Sequence, residues 1–345
     1  MIIERRAQFS EPVGRGGAGA DKIPGPVLVS FAVYLALAGV AWWVVERLLP
    51  DRLVLNLFGH ALALKELHRR LGGILLVMAG MIPGIFAAEI LLGGWRNSSL
   101  RYLLVERTGS GMSDLVCFLC GQGRVMTLAA IAFTFGASLI SGEWIHDRLS
   151  AATGLSLSLA SAPALLQIMI YLLIYTFFDY WNHRVSHTRW FWPLHRYHHS
   201  AEEFSVMTAV RTHPATFTDV VSTTLPAAAL KLSPELILSV NLFIVALRYL
   251  IHSRIDSNFG WVGRYLIQSP THHRLHHILD TTLPTANFAL TPLWDRVFGT
   301  WRDEGDQSVV IGVNTPYRHG AWVLSDMWRD YCDFWKALVL RETSG

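Results

Sequence analysis

Eight histidines in three short runs are the residues of this chain best suited to chemistry. His183 and His187 stand four apart in DYWNHRVSH. On a helix that spacing puts both imidazoles on one face, about 6 Å apart along the axis. His195, His198 and His199 follow as HRYHH, and His273, His276 and His277 as HRLHH, each run placing one ring a turn away from an adjacent pair. Imidazole ligates Zn, Cu, Fe or Ni, and eight such nitrogens exceed the four that one structural zinc takes, so the pattern implies two metals. A solvated and inert set of histidines has no reason to repeat H-x-x-H-H twice.

Further candidates lie between the runs. His252 sits beside an apolar stretch with Arg248; a titratable group at that depth is a candidate ligand as well as a satisfied polar residue. His213, in RTHP, suits either a ligand or a structural role, and His272 reads as a neighbour of the site. Neutral imidazoles leave the metal charge uncompensated, so carboxylates are expected to accept from the other ring nitrogen. Asp179, one turn before His183, is best placed by spacing. Asp295 is a second candidate, with Asp219 and Asp280 behind it, and ordinary helix-end solvation is the alternative for each.

The elements that must carry these residues are those of a membrane protein. Of 345 residues 52% are hydrophobic and only 16% charged, where a soluble domain carries roughly 25% charged. A net charge of +3 without a basic cluster argues against nucleic acid as a partner. Cys117, Cys120 and Cys332 are too few for a disulfide scaffold, and the lone C-x-x-C reads as two ordinary reduced thiols. Four apolar runs, Val27 to Val45, Leu71 to Leu92 with Pro83, the shorter Met126 to Ile140, and Ala162 to Trp181, are candidate spans. The expected fold is therefore an all-α integral membrane protein of about four transmembrane helices.

The division expected is a flexible tail over 1–25, a transmembrane bundle over 26–181, a histidine-box domain over 182–301 and a C-terminal tail over 302–345. Within the third unit, 220–251 is broken by Pro226, Lys231 and Pro234 and reads as a re-entrant hairpin or one more span. Segment 52–70 mixes leucines with Arg52, Lys65, Arg69 and Arg70 and reads as an interfacial helix. Gly14 to Gly19 spell G-x-G-x-x-G, but no strand precedes them, so no dinucleotide site is expected. Arg5, Arg6, Arg15 and Lys22, and then Arg96, Arg101, Arg107 and Arg124, favour a cytoplasmic side that four spans would return to the histidines. The basic residues of 52–70 fit that scheme only if the segment lies on the membrane surface.

HRVSH, HRYHH and HHRLHH, with DYWNHR before the first, HHSAEEFSVMTAVRTHP around the second and NFALTPLWDRVFGTW after the third, resemble the fatty acid hydroxylase and sterol desaturase superfamily over about residues 179–301. The resemblance implies a non-haem di-iron oxygenase whose helical cytoplasmic domain caps the bundle and holds a histidine-rich dimetal site. It carries over His183, His187, His195, His198, His199, His273, His276 and His277 as ligands, with His213 and His252 matching two more positions. Ser269 and Ala289 depart from the usual Thr and Gly.

The resemblance also implies O2-dependent hydroxylation or desaturation of a membrane lipid by two iron ions, with zinc as a substitute in overexpressed protein and O2 as co-substrate. Electrons must come from an external donor such as a ferredoxin, a cytochrome b5 or a reductase, because no H-P-G-G haem motif is present. Two rivals remain, a dinuclear hydrolase of lipid esters or amides and a metal transporter, with an aldehyde-forming or carbon-removing activity of the same superfamily as a weaker third. Transport would favour ionisable residues midway along several spans, which these runs lack. With only four lysines among 29 basic residues, the arginine bias hints at a GC-rich bacterial genome and hence an inner membrane. No residue selects the lipid.

Overall fold

A run of apolar residues with no polar face has to meet lipid on all sides, and a helix satisfies its own backbone there. The computed structural model describes residues 24–339 except 58–59, 65–66, 123–141, 143, 157, 214–217, 280–283 and 304–308. It holds helix α1 (Gly25–Leu48), which starts on a proline in its first turn, and α2 (Leu67–Gly93), which carries Pro83. After α3 (Gly109–Gln122) comes α4 (Ala164–Ser186). Among the described residues three helices are long and apolar enough to cross a membrane: Gly25–Leu48, Leu71–Gly93 and Ala164–Ser186. The apolar run Met126 to Ile140, the G-x-G-x-x-G segment and Asp280 lie outside the described residues, as does the Asp219 side chain.

The reading of 52–70 is corrected. The first part of 52–70 is not an interfacial helix but an antiparallel hairpin of β1 (Leu53–Leu57) and β2 (His60–Leu64), in register from Leu53 with Leu64 to Leu57 with His60. Leucines at 53, 55, 57, 62 and 64 repeat with period two, the strand spacing, and the helix begins only at Leu67. Apart from this hairpin and one isolated bridge the regular structure of the described residues is helical.

The broken segment 220–251 forms two helices, α6 (Thr218–Ala229) and α7 (Pro234–Ile251). At 12 residues α6 is about 18 Å long, too short for a core of about 30 Å. The turn between them contains Lys231 at φ +50°, and Ser233 caps α7 by accepting from the Leu236 N–H. The hairpin packs on α4 through Tyr171 and Tyr175 against Ala227, Val240, Ile244 and Ile251.

The histidine runs ride on the end of α4 and on two short helices, α5 (Trp192–His199) and α8 (Pro270–His276). Ser269 caps α8 by accepting from the His272 N–H, so serine in place of threonine keeps the capping hydroxyl. Two buried polar knots fasten this layer to the bundle. Glu89 of α2 accepts from the Ser99 N–H (2.6 Å), the Ser99 hydroxyl (2.7 Å) and the Arg254 N–H (2.6 Å), two residues beyond His252. Arg211, fully buried, pairs with Asp114 of α3 and donates to the hydroxyl of Ser200, the residue after His199.

Finally come α9 (Pro292–Val297) and α10 (Val323–Val339). Residues 302–345 are thus more than the tail expected: α10 packs on α5, where Arg196 donates to Asp330 (2.6 Å) and Asp333 (2.5 Å).

Candidate metal centre

Nine histidines converge in two groups: His183, His187, His195, His199 and His276 in one, and His198, His252, His273 and His277 in the other. Within each group the ligand-type nitrogens all lie within 4.8 Å of one another. The four-residue spacing delivers His183 and His187 from the end of α4, and α5 sends His195 and His199 to the first group but His198 to the second. Likewise α8 splits its run, with His276 in one group and His273 and His277 in the other. Each H-x-x-H-H run therefore serves both groups.

The nitrogens face each other in a way that hydrogen bonds cannot satisfy. His195 Nε2 lies 3.1 Å from Nε2 of both His183 and His199, and His252 Nε2 lies 3.3 Å from that of His198 and 3.0 Å from that of His273. His187 and His276 meet at 3.1 Å. One ring nitrogen donates at most one proton. Two nitrogens about 2.1 Å from a common cation and 90–110° apart would be separated by about 3.0–3.4 Å, which is the spacing found. Neither ring nitrogen of buried His277 has a hydrogen-bond partner, a costly arrangement that a cation on one of them would relieve. The donor set fits two metal ions.

Tautomers point the same way. Nδ1 of His183, His276 and His252 faces the carbonyl oxygens of Phe288 (2.6 Å), Ala286 (2.8 Å) and Arg248 (2.7 Å). A nitrogen facing a carbonyl has to carry the proton, which leaves the Nε2 lone pair free for a metal. Burial, and then neighbouring imidazoles, hold His187, His198, His199, His273, His276 and His277 well below the ordinary imidazole range; burial brings His252 down to about 3. All of these rings are neutral at pH 7, as a ligand must be.

The carboxylates act one step further out. Asp295, fully buried, accepts from the Phe288 and Ala289 N–H groups (2.8 Å each) and the Thr300 hydroxyl (2.8 Å), fixing the loop whose carbonyl meets His183. Burial pushes its carboxyl up to about 6. Asp179 accepts from Arg248 (2.6 Å), and the Arg248 carbonyl meets His252. Sequence reasoning missed Asn287. It adopts φ +58° and hydrogen-bonds the His272 carbonyl (3.0 Å), the Arg302 carbonyl (3.0 Å) and the Arg302 N–H (2.8 Å), setting the direction of the 286–288 carbonyls. Asparagine tolerates that backbone region better than most residues, a signal readable only once the loop is known to need it.

His213 is not brought into either group. Its Nε2 lies 2.9 Å from the Met327 carbonyl, and its ring is parallel to that of Tyr331. His272 stands beside the site, between Ser269 (2.8 Å) and Asp303 (3.2 Å). A cavity of about 110 Å³ adjoins both groups at His183, His195, His198, His252 and His273. Its lining also combines Asp179 and Arg248, polar Asn182, Ser186, Thr212 and Gln268, and apolar Leu194, Ile251 and Leu290.

Residues 168–300 match the family model described as fatty acid hydroxylase. Over that segment the match supports the fatty acid hydroxylase and sterol desaturase superfamily, as do the relatives it resembles. Alkylglycerol monooxygenase of Homo sapiens is 30% identical over 141 residues, covering 40% of this chain and 31% of that protein. The enzyme of the same name from Danio rerio is 30% identical over 141 residues, with 40% and 30% covered. That of Caenorhabditis elegans is 28% identical over 143 residues, with 40% and 28% covered. The chain spans about a third of the length of these curated relatives. No solved structure matches. The superfamily segment contains all nine clustered histidines, Asp179, Asn287 and Asp295, and leaves α1 to α3 and α10 outside.

Proposed function

We propose that the chain is an integral membrane monooxygenase that hydroxylates a lipid C–H bond, with the two histidine groups holding a pair of iron ions. The observation that carries this reading is the convergence of Nε2 atoms at 3.0–3.3 Å on three rings whose Nδ1 protons are committed to carbonyls. The bound metals supply the redox chemistry: with O2, two electrons and two protons, one oxygen enters the C–H bond and the other leaves as water.

The protein's part is to hold and exclude. His183, His187, His195, His199 and His276 hold one ion, and His198, His252, His273 and His277 the other. Asp295, Asn287 and the carbonyls of 286 and 288 keep the rings aimed, and the buried walls keep bulk water from the reacting carbon. The Ser186 and Thr212 hydroxyls line the cavity where a polar lipid head would sit, while Leu194, Ile251 and Leu290 receive its chain. An alkylglycerol is the first substrate to test, since the relatives carry that name and this wall suits a hydroxylated head.

Hydroxylation is favoured over desaturation because the relatives are named monooxygenases. The hydrolase and transporter readings have no such support, and the clustered rings gather at one end of α4 rather than along the spans. We further propose that the histidine-box domain lies on the cytoplasmic side of a bacterial inner membrane, where a ferredoxin, a cytochrome b5 or a reductase delivers the electrons. Lipid mass spectrometry of cells expressing the intact protein or His276→Ala tests the reading. One lipid class should gain a single oxygen only with the intact protein under air; a change that persists without O2 would favour hydrolysis.

A further inference from the structure

The C-terminal helix α10 turns its faces the wrong way round for a helix surrounded by water. At about 100° per residue, its positions divide into three sectors. Asp326, Met327, Asp330 and Ala337 face inward and are buried. The two aspartates are satisfied there: Asp326 accepts from the Arg318 and His319 N–H groups (3.2 and 3.1 Å), and Asp330 accepts from Arg196 and the Tyr317 hydroxyl (2.6 Å). A second sector holds Ser325, Arg329, Asp333 and Lys336. The third, an arc of about 100°, holds Leu324, Trp328, Tyr331, Trp335, Leu338 and Val339 and is almost entirely apolar. It is nevertheless open: Leu324 is 62% exposed, Trp328 65%, Trp335 49% and Val339 73%. Acids inside, tryptophans outside and a separate polar edge describe a helix that touches protein, lipid and water on three different sides.

Its place in the fold says which surface covers the open face. The ring of Phe334 packs on Phe191 at 5.8 Å between centroids, and Phe191 stands five residues beyond the end of the membrane-long helix α4. Rings then run from that point along α10: Phe334 with Trp335 at 5.3 Å, Trp335 with Tyr331 at 6.1 Å and Tyr331 with Trp328 at 5.6 Å. Trp190 and Phe191, both exposed, continue the patch back to the span. Arginines lie over tryptophans at its margins, Arg318 on Trp322 at 4.1 Å and Arg189 on Trp190 at 4.6 Å. Tryptophan beside basic side chains is the composition of the headgroup layer.

We propose that α10 lies in the plane of the membrane surface, with Leu324, Trp328, Trp335, Leu338 and Val339 embedded among the headgroups of the leaflet that α4 leaves. The occupant of this face is the bilayer. Because Arg196 of α5 is clamped to Asp330 and Asp333, the embedded helix also anchors the histidine-bearing α5 at the height where a lipid would enter. The inference rests on the spans and on α10 itself, and stands whether or not the chain oxidises a lipid.

The test uses the full chain in nanodiscs of phosphatidylethanolamine and phosphatidylglycerol, one copy per disc. Spin labels at Trp328→Cys, Trp335→Cys, Ser325→Cys and Lys336→Cys, with the native cysteines replaced, report collision with O2 and with a water-soluble nickel chelate. Labels at 328 and 335 should collide several-fold more with O2 than with nickel, and those at 325 and 336 the reverse. Equal nickel access at all four positions would overturn the proposal. So would protection of 328 and 335 only in discs that hold two copies, since another chain would then cover the face. A second readout needs no substitution: a phospholipid with a diazirine in its upper acyl chain should leave adducts on the peptide containing Trp328 and Trp335. An α10 peptide free of adducts, while those from α1 carry them, contradicts the membrane placement.

Discussion

His183 donates its Nδ1 proton to the carbonyl oxygen of Phe288 across 2.6 Å, although 105 positions separate the two residues. That carbonyl is in turn fixed because Asp295 accepts from the N–H of Phe288 itself and from that of Ala289. Ring direction in the first histidine group thus depends on a carboxylate accepting from backbone beside the ring's partner.

Asp295→Asn tests this chain of contacts. The amide would present an N–H to one of the two backbone donors, so the loop should shift and His183 should lose its fixed partner. Outer-sphere changes of this kind cost about 10–100-fold in metal affinity or activity. Metal titration should show that loss with helical content unchanged in circular dichroism; wild-type affinity would contradict the role given to Asp295.

Asn287→Ala should be worse than Asn287→Gly. Both lose the three side-chain bonds, but alanine must also adopt φ +58°, which costs about 1–2 kcal/mol that glycine avoids. Thermal unfolding in detergent would rank the two, and equal stabilities would show that the backbone conformation carries no cost.

Arg196→Ala takes the closest cation from the Asp330 carboxylate, which is 0% exposed and keeps only the Tyr317 hydroxyl (2.6 Å) and the more distant Arg329 (3.7 Å). Breaking one partner of a buried pair costs about 3–5 kcal/mol, more than removing both. The double variant Arg196→Ala with Asp330→Ala should therefore be the more stable, as read by unfolding midpoints. If it is less stable than either single variant, the clamp between α5 and α10 does not act as a buried ion pair.

The metal-free protein should be acid-sensitive. Eight clustered histidines have depressed values, so the unfolded chain binds their protons first as pH falls. A depressed histidine contributes stability that is present above its unfolded value near 6.5 and lost as pH drops below it, at about 1.4 kcal/mol per pH unit for each extra proton taken up. Unfolding midpoints of chelator-treated protein should fall steeply from pH 6.5 to 5. A flat profile would mean that the rings are solvated.

The histidine runs were legible because helical spacing alone puts their rings on shared faces, and uninterrupted apolar sequence marked the helices before Leu49, before Gly94 and up to Ser186. The division of each H-x-x-H-H run between two groups was not, since it depends on how the tertiary fold sets α5 and α8 against the end of α4. Nor were the ring partners: Phe288, Ala286 and Arg248 act through backbone carbonyls, to which side-chain identity gives no clue. His213 sits in a motif-like RTHP, yet its nitrogen faces Met327. In 53–64 the basic residues that flank the segment hid a period-two alternation. The tail reading of 302–345 failed because α10 buries aspartates and exposes tryptophans, the inverse of the usual helical pattern.

The measurement that bears most directly on the proposed chemistry is oxygen-18 labelling of the product. Purified, iron-loaded protein in nanodiscs, given an electron donor and an alkylglycerol under labelled O2, should form a lipid product carrying one oxygen-18 atom, and His276→Ala should form none. A product whose new oxygen comes from water, or one that forms equally well without O2, would contradict a paired-metal oxygenase.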